Sequence, residues 1–225
     1  MTTLNWKALA GLVNLLVALG VALFLPAWTF HYWQAWAFLA VFGLSVFAIT
    51  AYLMKRDPAL LERRVKAGPV AETRTLQKIV QSLASVAFVA IFVVSALDHR
   101  RHWSRVPLPV TIACDALVAL GLLIVFLVFR ENTFTSAIIE VGADQKVIST
   151  GLYSVVRHPM YMGAFLMLLA VPPALGSLWG LFAVIPLMVV IVWRLFDEEK
   201  FLAAKLPGYR EYQQRVKRRI VPFVW

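Results

Sequence analysis

The run HPMYMGAFLMLLAVPPALGSLWGLFAVIPLMVVIVW, residues 158–193, contains no Lys, Arg, Asp or Glu. About 20 apolar residues at 1.5 Å rise are enough to cross a hydrocarbon core of about 30 Å. The run is therefore too long for one crossing, and Val-Pro-Pro-Ala-Leu-Gly-Ser at 171–177 interrupts it with residues that break helices and favour turns. It reads as a tight helical hairpin. The first leg, Pro159 to Val171, has 13 residues and would reach only about 20 Å. The leg or its turn then sits partly inside the bilayer, where its backbone must be shielded. Pro159 suits the first helical turn, where its missing N–H costs nothing.

Two further stretches lack charge, Ala8 to Met54 and Ile79 to Leu97. They divide, with the region before Arg130, into four spans: Ala8–Leu25, Trp33–Met54, Ile79–Leu97 and Val110–Phe129, the last carrying Asp115 near its start. The run Ala8–Leu25 is longer than the core of a usual leader and a second span follows at once, so it reads as a membrane span. Of the 225 residues, 61% are hydrophobic and 15% charged, against roughly 45–50% and 25% in a soluble domain. A water-soluble domain is excluded. The fold class expected is an all-α integral membrane protein with four spans in residues 1–130, then a catalytic region in residues 131–225. Cys114, the single cysteine, permits neither an internal disulfide nor a cysteine metal site.

Basic residues in short loops set orientation. The link from 55 to 78 holds Lys55, Arg56, Arg63, Arg64, Lys66, Arg74 and Lys78, and eight more basic residues follow from Arg194 onward. The loop at 26–32 and the hairpin turn hold none, and 98–109 holds Arg100, Arg101 and Arg105. Both termini are expected in the cytosol, at the inner membrane if the source is bacterial. The formal charge of +10 then serves insertion and anionic lipid, not nucleic acid.

Chemistry concentrates at the two ends of the hairpin. Before it, Thr150-Gly-Leu-Tyr-Ser-Val-Val-Arg-His-Pro-Met-Tyr-Met-Gly163 puts Tyr153, Arg157, His158 and Tyr161 at the cytosolic mouth, with Gly151 and Gly163 free to make a tight turn or a close helix contact. Alone, this also reads as snorkelling and interfacial aromatics. After it, Trp193-Arg-Leu-Phe-Asp-Glu-Glu-Lys200 sets Arg194 one turn before Glu198 on one helix face. That reads as a site or as a solvated intrahelical pair. Leu202, Leu206, Tyr209, Tyr212 and Val216 recur at helical spacing as an interfacial amphipathic pattern, and Arg215 to Arg219 reads as a lipid-headgroup anchor. His99 and His102 lie beside Arg100 and Arg101, which disfavours a metal there. Asp115 is expected to be hydrated near the outer interface.

Together, Gly-x-Tyr-x-x-x-Arg-His-Pro-x-Tyr-x-Gly before the hairpin, Arg-x-x-x-Glu-Glu after it and Tyr-x-x-Tyr-x-x-Arg-Val near a C-terminal proline resemble the isoprenylcysteine carboxyl methyltransferase family. Related phospholipid methyltransferases share part of the pattern. The resemblance covers Asn132 to Trp225, and the first 130 residues match only as a hydropathy profile. It implies an integral-membrane methyltransferase using S-adenosyl-L-methionine. Methyl transfer from a sulfonium requires no metal, and a lipophilic acceptor is expected to enter sideways from the bilayer, where the hairpin's short leg leaves room. The resemblance assigns cofactor contacts to Gln145, Lys146, Val147, Ile148, Tyr153, His158, Pro159, Met160, Tyr161 and Glu198, and the substrate-contacting arginine to Arg194. Arg194 and Glu198 are the expected catalytic pair. Gln145 stands where the family often has His. An extra residue in Leu206-Pro-Gly208 leaves the choice between Glu198 and Glu199 open. A phospholipid amine methyltransferase, an NADPH-dependent sterol or enone reductase and a small membrane transporter are the other readings.

Overall fold

The computed structural model describes residues 2–65, 75–136 and 145–225. Lys66 and Arg74, counted above among the basic residues of the link, lie outside them. Helix α1 spans Thr3–Ala27, α2 Trp33–Arg56, α3 Pro58–Val65, α4 Thr75–Arg101 and α5 Leu108–Glu131; a short 3-10 turn, Gly151–Ser154, precedes α6 Pro159–Ala174, α7 Gly180–Lys205 and α8 Tyr209–Arg215. Five of these, α1, α2, α4, α5 and α7, are long and apolar enough to cross a membrane, and α6 is a shorter apolar helix. The protein is an all-α, multi-pass integral membrane protein of the architecture expected.

The helix ends follow local chemistry. The Thr2 hydroxyl accepts from the Asn5 N–H at 3.3 Å and caps α1, while Trp28 ends it in the left-handed region. Asp57 caps α3 by accepting from the Leu60 N–H at 2.8 Å. Pro159 takes the first turn of α6.

The hairpin departs from expectation at its tip. Pro172 and Pro173 do not make the turn; they lie inside α6, whose last turn runs on to Ala174. A proline lacks a backbone donor, but both carbonyls still accept: Pro172 O from the Ser177 N–H at 2.9 Å and Pro173 O from the Gly176 N–H at 3.0 Å. The turn is made at 175–179, with Gly176 at φ +74°. At 16 residues, α6 is about 24 Å long, still short of a full crossing.

Lipid offers helices no hydrophobic reason to associate, so close packing and small residues must hold them. Leu23, Phe38, Phe92, Val118, Leu168 and Val184 contribute one buried side chain from each of the six apolar helices to a common core. Outward-facing Val86 and Phe182 are 71% and 66% exposed, as lipid-facing positions should be. The hairpin is locked in where α5 meets α6. A Cβ placed on Gly121 would lie 2.6 Å from the Gly163 carbonyl oxygen, and one on Gly163 2.7 Å from that of Gly121.

At the end of the bundle carrying the loops after α1, α4 and α6, Asp98 gathers the chain. Its carboxylate accepts from the Ser104 and Ser177 hydroxyls, each at 2.6 Å, and from the Ser104 N–H at 2.7 Å. Tyr32 stacks on His99 at 3.8 Å and donates to the Leu175 carbonyl at 2.7 Å. Asp115 is only 8% exposed, and its Oδ1 has no partner among the described residues.

Candidate active site

The opposite end, where α2, α5 and α7 finish and α6 begins, holds the polar segments flanking the hairpin, and they do meet. Glu199 is the hub. Its Oε1 accepts from Arg157 Nε at 2.7 Å and lies 3.1 Å from His158 Nε2, while its Oε2 accepts from Arg219 Nε at 3.1 Å. Arg157 is 7% exposed and Glu199 6%, so Arg157 does not snorkel as a lone interfacial cation would. The Arg157 N–H donates to the Arg218 carbonyl at 2.9 Å and the His158 N–H to that of Arg219 at 2.8 Å. The run 215–219, expected as a headgroup anchor, also forms a strap across the start of α6, with the Arg219 guanidinium over the Phe196 and Trp225 rings and Arg215, Lys217 and Arg218 exposed.

The interfacial pattern of 202–216 is corrected. The helix breaks at Leu206-Pro-Gly208, with Gly208 at φ +80°, and Leu206, Tyr209 and Tyr212 turn inward onto Val147 and Tyr153. Tyr212 donates to the Tyr153 carbonyl at 2.7 Å. The apolar stripe thus buries against protein, not lipid.

Between these elements opens a cavity lined by Gln145 to Ile148, Tyr153, Arg157 to Tyr161, Glu198, Leu202, Leu206 and Tyr209, together with Asn132 and Phe134 to Ser136. Each of the ten residues assigned to the cofactor by resemblance lies on its wall. Glu198 faces it and accepts from the Tyr161 hydroxyl at 2.6 Å; its neighbour Glu199 is spent on the ion-pair hub. The rings of His158 and Tyr161 stack 5.6 Å apart.

Four lining residues, Asn132, Phe134, Thr135 and Ser136, carried no assignment from the sequence. Asn132 donates to the Tyr153 hydroxyl at 3.0 Å, and its place at the C-cap of α5 is the one local signal for it. Burial pushes that hydroxyl up to about 12 against the pull of the Asn132 hydrogen bond, so Tyr153 stays a neutral phenol. Burial, then Glu199 and Glu198, also raise the Tyr209 hydroxyl. Tyr209 Oη and Thr135 Oγ1 are buried with no hydrogen-bond partner among the described residues. Phe134 completes that wall.

Arg194 lies one turn from Glu198 on α7, off the cavity wall, in a groove between α4 and α7 lined by Val80, Gln81, Ala84, Ser85, Val190 and Ile191. It donates to Gln77 Oε1 at 3.1 Å, and Gln77 Nε2 donates to Asp197 Oδ2 at 2.6 Å. Gln77, 0% exposed, was not legible as a site residue.

A multi-pass helical protein with a polar cavity at one membrane face is the class these features define. Residues 110–207 match the model of the phospholipid methyltransferase family, consistent with the broader group of membrane phospholipid and isoprenylcysteine methyltransferases that the motifs resemble. Among curated proteins, a delta(14)-sterol reductase of Mus musculus is 30% identical over 105 residues, which is 43% of this chain and 25% of the mouse protein.

Proposed function

We propose that the protein is an S-adenosyl-L-methionine-dependent methyltransferase acting on a lipophilic carboxylate, of the kind a prenylated cysteine presents, with the cavity and both termini on the cytosolic side. One observation carries the reading. Residues from four separated segments, assigned by motif to one cofactor, line one cavity, and the buried Tyr209 and Thr135 hydroxyls on its wall lack partners among the described residues, partners that a bound ligand would supply. The donor set suits that cofactor: Glu198 for an ammonium or ribose hydroxyls, tyrosine faces for a sulfonium, and the 145–148 segment along one side.

Bound there, S-adenosyl-L-methionine supplies a methyl group whose C–S electron pair leaves on sulfur as an O–C bond forms, so that one positive and one negative charge are consumed and no proton is released. The chain's own task is positioning, which can contribute about 7–11 kcal/mol to such a reaction. A carboxylate is ionised at neutral pH, so Arg194 has only to orient it. The groove between α4 and α7 is mostly apolar and ends on Arg194, which fits an acceptor with an apolar chain and an anionic head arriving from the bilayer. His158 and Arg157 hold the start of α6 to Glu199.

The test is equilibrium binding of S-adenosylmethionine and NADPH to the purified protein, followed by labelled methyl transfer into fractionated membrane lipids and peptides. Saturable S-adenosylmethionine binding and a labelled, base-labile lipophilic product are expected. A base-stable product would instead indicate an amine acceptor. The likeness to a sterol reductase supports a second reading, a membrane reductase, which requires NADPH binding without S-adenosylmethionine binding.

A further inference from the structure

Helices α2 and α5 leave an apolar groove between them, lined by Ser45 and Ile49 from one and Ala119, Leu122 and Phe126 from the other. The hydroxyl on its wall is spent, because Ser45 Oγ donates to the Val41 carbonyl at 2.7 Å. Helix α3 packs on a neighbouring flank of the same pair. There Leu60 and Leu61 bury with Leu53 and Phe129, and Arg63 and Arg64 donate to the carbonyls of Thr133 and Ser136. The groove itself keeps Ala48 and Leu123 exposed on its wall.

Its two sides run in the same register. Ser45, Ile49, Tyr52 and Arg56 recur at three- or four-residue spacing on α2, as do Ala119, Leu122, Phe126 and Arg130 on α5, so each set lies along one helix face. Both stripes finish in an arginine one turn past an aromatic ring. Those rings meet, Tyr52 edge-on to Phe126 at 5.0 Å, and the Arg130 guanidinium stands 5.9 Å over the Phe126 ring. Arg56 and Arg130 are exposed, as is Lys55 next to Arg56. The carboxylates adjoining them in sequence are engaged elsewhere: Asp57 accepts from the Leu60 N–H and Glu131 from the Thr150 hydroxyl.

From Ser45 to Arg56, and equally from Ala119 to Arg130, the helix rises about 16 Å. That is about half of a 30 Å hydrocarbon core, the depth of one leaflet. An apolar trough one leaflet deep with cations at its polar end fits one lipid, an acyl chain along the groove and a phosphate at the guanidinium groups. Arginine binds phosphate through paired charge-assisted hydrogen bonds, and basic pockets between spans hold anionic headgroups.

We propose that this groove is a binding site for one anionic glycerophospholipid, its headgroup held by Arg56 and Arg130 and one chain lying between α2 and α5. The groove shares no lining residue with the cofactor cavity, so the proposal does not depend on the methyltransferase reading.

The test titrates the full chain in detergent with phosphatidylglycerol or phosphatidylcholine of matched chains and reads bound lipid by native mass spectrometry. Phosphatidylglycerol is expected to bind more tightly. Arg56→Gln and Arg130→Gln should each weaken it by about 5-fold and leave phosphatidylcholine unchanged. Lys78→Gln, which removes an exposed cation at the start of α4, should change neither. Ala119→Phe, which fills the groove, should weaken both lipids, and glycerol phosphate, the headgroup chemistry without chains, should not compete. Equal affinity of the wild type for the two lipids, or a preference that survives the double Arg56→Gln, Arg130→Gln variant, would overturn the site. So would an equal loss in Lys78→Gln, unchanged phosphatidylglycerol binding in Ala119→Phe, or competition by glycerol phosphate.

Discussion

Gly121 and Gly163 face each other backbone to backbone where α5 crosses α6, so closely that a methyl group on either would fall within 2.7 Å of the other's carbonyl oxygen. The contact lies one turn into α6, just beyond Met160 and Tyr161, and so fixes the height at which both meet the cavity. Gly163→Leu should cost about 1–3 kcal/mol through overpacking and weaken cofactor binding by displacing the start of α6. Thermal unfolding in detergent and S-adenosylmethionine titration check the two effects, and Gly163→Ala should show the smaller version of both.

Adjacent glutamates are expected to fail differently. Glu199→Gln removes the carboxylate from a hub holding Arg157 and His158, both nearly buried, and should destabilise by about 3–5 kcal/mol. Glu198→Gln should leave the melting temperature near that of the wild type and raise the Kd for S-adenosylmethionine. A crossed pattern, with Glu198 governing stability and Glu199 affinity, would reverse the assignment.

Arg194→Ala should spare S-adenosylmethionine affinity and depress turnover of a carboxylate acceptor. Gln77→Leu should move turnover in the same direction by a smaller factor, because Gln77 holds the Arg194 guanidinium from α4. Steady-state kinetics that leave kcat/KM for the acceptor untouched in both variants would remove Arg194 from the acceptor site.

The two unpartnered hydroxyls give a prediction with opposite signs. Tyr209→Phe and Thr135→Val delete buried polar groups that bond to nothing among the described residues, so the ligand-free protein should be as stable as before or more so. Each should nonetheless lower the stabilisation gained on adding S-adenosylmethionine, by about 1 kcal/mol per hydrogen bond. Melting curves with and without cofactor measure both signs in one experiment.

Spans were legible because a bilayer requires simple runs of apolar residues, and uncharged gaps show those directly. The hairpin, Pro159 at a helix start and Gly163 at a close contact followed from the same reading. Three things were hidden for physical reasons. Neighbouring residues on a helix point about 100° apart, so nothing in Glu-Glu says which carboxylate faces the cavity. Leu202 to Val216 carries the pattern of a lipid-facing helix, and only Val147 and Tyr153 coming from elsewhere in the chain turn that stripe inward. Gln77 and α3 gave no signal, since their partners lie 117 and about 70 residues away.

The strap has a consequence for biogenesis. The N–H groups of Arg157 and His158, which begin the cavity wall, bond to the carbonyls of Arg218 and Arg219, so the wall stays open until the segment through Arg219 has left the ribosome. The spans can insert one after another while the cavity is still unformed. Closure of the cavity is thereby deferred until residues 218 and 219 have emerged, and a nascent chain arrested before them would sit in the membrane, inserted but with its site unclosed.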